Sequence, residues 1–96
     1  MEIPEIVERK IKRRGRKRTY GLYHQDKQLI EIDPRQGKYE YLDTVIHEGL
    51  HHVLPMMSEE WVHDAAPVLT QMIWASGYRK VRKLVSKQKH QKHQGK

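Results

Sequence analysis

Leu42-Asp43-Thr44-Val45-Ile46-His47-Glu48-Gly49-Leu50-His51 is the stretch on which the reading of this chain turns. Apolar residues recur at Leu42, Val45, Ile46, Gly49, Leu50, Val53 and Leu54, a period of about 3.6 that predicts an amphipathic helix over 41–54, stopped by Pro55. Inside it stands His47-Glu48-Gly49-Leu50-His51, an H-E-x-x-H pattern. Residues four apart on a helix lie one turn above each other, so the two imidazoles converge on one ion while the intervening carboxylate reaches the same cavity. A zinc ion held this way keeps a position for water, and Glu48 is the candidate general base. The bland alternative is two histidines and a glutamate on the wet side of a helix. His52 points about 100° away from His51, which places it behind the metal ligands or in solvent.

Working outward, Ser58 followed by Glu59 and Glu60 reads as a helix start, a capping hydroxyl with acids in the first turn. That helix is expected to run to Gly77 on Val62, Ala65, Ala66, Leu69, Met72 and Ile73, with a kink or break at Pro67. Glu59 falls near the apolar side of this helix and Glu60 well away from it, which favours Glu59 as a third metal ligand without removing Glu60. Either acid could instead serve only the helix dipole. Upstream, Thr19 to His24 and Leu29 to Asp33 flank the polar turn 25–28 and read as a β-hairpin ended by Pro34. Leu22, Leu29 and Ile30 are expected to pack it on the helices. Ile3 to Ile11 is loosely helical in pattern, before a run of basic residues to Arg18 too dense to bury.

Hairpin, H-E-x-x-H helix, Leu54-Pro55 and the Ser58-Glu59-Glu60 helix start together resemble the small gluzincin-type zinc metallopeptidases, loosely the ImmA/IrrE peptidase family, over residues 19–77. The resemblance implies a minimal zincin-like fold, His47 and His51 as zinc ligands, a glutamate from the next helix as the third, and Glu48 as catalytic base. It also implies one Zn2+ per chain and a peptide or protein substrate. Glu60 with Asp64 reproduces the E-x-x-x-D arrangement of larger gluzincins, where the aspartate supports a ligand histidine. The metzincin variant is excluded, because it would require glycine at Leu54 and histidine at Met57. His63 is the one central candidate for the downstream third histidine of SprT-type proteases, whose glycine-containing motif is absent. In zincins a strand edge beside the active helix pairs with extended substrate, and residues 29–33 or 19–24 would serve. Tyr20, Tyr23, Tyr39, Tyr41, His24 and His63 are all candidates to polarise the carbonyl or stabilise an oxyanion.

Composition bounds the rest. The chain has 96 residues, no cysteine and a net charge of +7. One small domain is the limit, and any metal must be held by histidine and carboxylate. Residues 1–18 carry eight basic and three acidic side chains, a balance of +5; residues 79–96 carry eight and none, +8; residues 19–78 carry three and nine, −6. The expected organisation is therefore a basic segment 1–18, an α+β metal-binding domain 19–78 with a short antiparallel hairpin on two helices, and a flexible basic tail 79–96. No apolar run approaches a membrane span and no leader pattern opens the chain, so a soluble, cytoplasmic protein is expected. The rival function is a nucleic-acid-binding or regulatory protein with a structural zinc and no turnover. Its basic ends would touch nucleic acid or an acidic protein.

Overall fold

Five elements follow one another in the computed structural model, which describes residues 1–12 and 19–81: β1 (Glu5–Glu8), β2 (Gly21–His24), β3 (Leu29–Ile32), α1 (Lys38–Val53) and α2 (Glu59–Ala75). The expected hairpin is present as β2 and β3, antiparallel, with Tyr23 opposite Ile30 and Gly21 opposite Ile32. Its turn is closed by Lys27 and Gln28 amides donating to the His24 and Gln25 carbonyls, with Gln28 left-handed at φ 49°. Both helices exist, and each begins and ends within a few residues of the expected limits. The class is α+β, with a three-stranded sheet beside two helices.

Three details depart from expectation. Ile3 to Ile11 contains a strand rather than a helix: β1 pairs in parallel with β3, so the sheet is mixed and runs β1-β3-β2. The reason is non-local. Arg9 N–H donates to the Ile32 carbonyl, Ile11 N–H to the buried Asp33 carboxylate, and the Arg9 guanidinium to both oxygens of Glu31. The described part of the basic N-terminal segment is thus continuous with the sheet. Second, Pro67 does not break α2, which continues to Ala75; Pro67 is exposed, so the carbonyl it leaves without a helical partner faces the wet side. Third, the register puts Leu22 and Leu29 on the sheet face opposite Ile30, because strand side chains alternate.

Ile30 and Ile32, fully buried, form the centre of the core with Tyr41 of α1, and Ile6, Tyr23 and Val45 pack around them. Each such aliphatic side chain contributes about 1.5–3 kcal/mol on burial. α2 packs on the far side of α1 through Val62, Ala66 and Thr70, and the Thr70 hydroxyl donates to Asp43. Asp33 anchors the turn between β3 and α1: its carboxylate accepts from Ile11 N–H, from Arg35 N–H and from the Arg35 guanidinium, which hold it well below the usual carboxylate range despite full burial. No helix among the described residues is long and apolar enough to cross a membrane. The flexibility expected of the C-terminal tail concerns mainly residues 82–96, which lie outside the described residues.

Candidate metal centre

The two helices are antiparallel neighbours, and the 54–58 connection returns the start of α2 to the end of α1. Ser58 sets that start, its hydroxyl accepting from Trp61 N–H at 3.0 Å, and the first helical residue it delivers is Glu59. Glu59 then spans both histidines of the motif: its Oε2 lies 3.1 Å from His47 Nε2 and its Oε1 2.9 Å from His51 Nε2. The two imidazoles stand edge to face with centroids 5.0 Å apart. One donor atom from each of the three residues falls within 4.8 Å of the others, so the group could hold a metal ion.

The fit can be tested by geometry. A tetrahedral ion bonded at about 2.0–2.1 Å needs donors roughly 3.3 Å apart; the two His–Glu separations, each to a different oxygen of Glu59, are within a few tenths of that, and one donor atom from each of the three residues lies within 4.8 Å of the others. The donor set is two imidazoles and one carboxylate, a set that suits zinc and leaves a fourth position open. Glu59 is 70% exposed on its side chain, so the centre sits at the surface and an ion can reach it.

Glu48 is placed differently from the ligands. It is turned toward β2, where Gly21 passes so close that a methyl group there would lie 3.1 Å from Glu48 Cγ and 2.5 Å from Thr44 Cγ2. Burial, and then the charge of Glu59, push its carboxyl up to about 7. It lines a cleft of about 340 Å³ with Tyr23, Gln25, His51 and Pro55.

Glu60, His63 and Asp64 are exposed on α2, and the structure does not bring them into the His47–His51–Glu59 group. Of the groups considered for polarising a carbonyl, Tyr23 lines the cleft with Glu48 and His51. Tyr41 is buried and donates to Glu8, Tyr39 donates to Gln71 and His24 pairs with Glu31. Tyr23 is itself held by His52, whose role the sequence left between support and solvent. His52 Nε2 lies 2.7 Å from the Glu2 carbonyl, which can only accept, so in the neutral ring Nδ1 accepts and the Tyr23 hydroxyl donates to it at 2.7 Å. In that tautomer Tyr23 meets a ligand in the cleft as an acceptor. Gly21 and this Tyr23–His52–Glu2 chain were not singled out from sequence, because each is a contact between elements. No protein-family model, curated protein or solved structure matches the chain.

Proposed function

We propose that this protein is a zinc-dependent metallopeptidase of minimal size. The observation that carries the reading is the convergence of His47, His51 and Glu59 on one point, with a carboxylate of raised pKa, Glu48, beside them on the wall of an open cleft. Zinc bound there would supply a Lewis acid and a water acidified to about pKa 7. The other tasks fall to the chain. Glu48, beside the three converging groups on the cleft wall, takes the proton as water attacks a peptide carbonyl and returns it to the leaving amine. β3 is paired on both sides, which removes residues 29–33 as a docking edge; among the described residues β2 pairs with β3 alone, so its other edge is the one an extended peptide would join. β2 also bears Tyr23 at the cleft and Gly21 against Glu48, so such a peptide would lie across Glu48 and His51.

The purified chain should contain about one zinc, lost in His47→Ala. Glu48→Gln should keep the metal and the fold while cleavage of unfolded casein falls by at least about a hundredfold, the scale of a lost general base. Metal retained with no cleavage by either form would support a structural zinc module instead. Absence of metal from the wild-type chain would remove both readings.

A further inference from the structure

A second cleft, of about 240 Å³, opens beside the other half of α1, where the chain leaving α2 folds back against Tyr41 and Trp74. At 100° per residue Val45 in its lining lies about 200° around α1 from His47, so it is separate from the metal centre. Leu42 and Val45 give the lining its aliphatic part, Trp74 and Tyr78 its aromatic part, and Lys38 and Arg79 its cations. The Arg79 guanidinium lies 3.5 Å from the centroid of the Trp74 ring and donates to the Trp74 and Tyr78 carbonyls, so these contacts leave its charge without a carboxylate. Lys80 lies over Tyr41 and pairs with Glu8 at 3.6 Å, which offsets that one cation. Among the described residues no acidic side chain lines the cleft. It is also the place from which the sequence turns wholly basic, with eight Lys and Arg and no Asp or Glu over 79–96.

We infer that this cleft binds single-stranded nucleic acid, stacking one base on the exposed Tyr78 ring beside the Arg79-covered Trp74, with the flanking phosphates on Lys38 and Arg79. Each part of the lining has a role in that ligand. The Tyr78 side of the lining is open, the residue being 71% exposed, and an aromatic face offered beside cations is the arrangement that stacks bases with little regard to sequence. The cleft has room for a single base. An acidic peptide would satisfy the cations but brings no planar apolar group for the aliphatic and aromatic lining, and a lone mononucleotide would leave unused the basic stretch that starts here. The binding is expected to be strongly dependent on salt.

The test uses the full chain with Trp61→Phe, which leaves Trp74 as the reporter, and an oligothymidylate as probe. Binding should quench Trp74 fluorescence. Tyr78→Ala should weaken it about tenfold while leaving the thermal midpoint in place. Lys38→Glu, at an exposed position, supplies a second variant and should lower the slope of log affinity against log salt by about one or more. Polyphosphate, which has no bases, should bind without quenching Trp74. His47→Ala should leave all of this unchanged, so loss of the metallopeptidase reading would not touch it. The inference is overturned if polyglutamate binds as tightly as the oligonucleotide. It is also overturned if Tyr78→Ala and Lys38→Glu both bind like the parent, which would mean attraction by the basic ends alone.

Discussion

Two glycines of similar appearance in the sequence have opposite surroundings. At Gly49 an added methyl meets nothing within 4 Å, so Gly49→Ala should stabilise the chain by about 1 kcal/mol through helix propensity alone, raising the urea midpoint with an unchanged slope. At Gly21 the same methyl would overlap Thr44 Cγ2, and Gly21→Ala should destabilise by about 1–3 kcal/mol as β2 is forced from α1. The same residue scale separates the two acids that the sequence left open. Glu59→Ala should lower zinc affinity by more than about a hundredfold, beyond the loss of an outer hydrogen-bond partner, while Glu60→Ala leaves it unchanged in a competition titration. That Glu59 rather than Glu60 lies beside His47 and His51 was readable because the angle of a residue on a helix wheel is local information. Gly21 was not readable as a neighbour of Glu48, since their twenty-seven-residue separation in sequence is closed only by the packing of a strand on a helix.

Among the elements, those formed by contacts within one stretch were legible and those formed by distant pairing were not. The two helices declare themselves by periodicity and by the Ser58 and Pro55 signals, and the β2–β3 hairpin by two short strands around a polar turn. β1 has no such signal: Ile6 and Val7 fit either period, and what makes them a strand is the free edge of β3 together with the Arg9–Glu31 and Ile11–Asp33 contacts. At Pro67, where the local rule expects a kink or a break, the helix is not broken, because the missing hydrogen bond falls on an exposed face of a helix held from the other side by Val62, Ala66 and Thr70. The start of α2 is the element that brings Glu59 to His47 and His51, and the candidate metal centre depends on it. Ser58→Ala removes the acceptor of Trp61 N–H and should cost about 1 kcal/mol in global stability. Because the first turn frays with it, zinc affinity should fall in the same variant, a coupling that thermal melts with and without zinc would detect.

For the whole molecule, charge sets a pH profile with two separable flanks. Glu31, hydrogen-bonded by Arg9 and His24, has its carboxyl lowered from the ordinary 4.5 to about 2, and Asp33 is depressed by Arg35 in the same direction. A group depressed on folding contributes stability that is present above its unfolded value and lost as pH falls toward its folded value. The acid flank therefore declines from about pH 4.5 downward. Glu48 acts with the opposite sign: its carboxyl is raised from 4.5 to about 7, so the folded chain favours the protonated form, and that contribution is complete below 4.5 and lost as pH rises through about 7. The zinc-free chain, prepared with a chelator, should thus be most stable near pH 4.5 to 5 and weaken toward neutrality, the range in which a metal would have to hold α1 and α2 together. Glu48→Gln carries no titrating proton and should flatten the neutral flank while leaving the acid flank, whereas Glu31→Gln should make the acid flank shallower, Asp33 still carrying the rest, and leave the neutral one. Thermal midpoints across pH for the three chelated proteins decide the matter. A neutral flank that survives in Glu48→Gln would mean that Glu48 is ionised in the folded chain at lower pH, and with it would go the argument that burial tunes this carboxylate to accept a proton near pH 7.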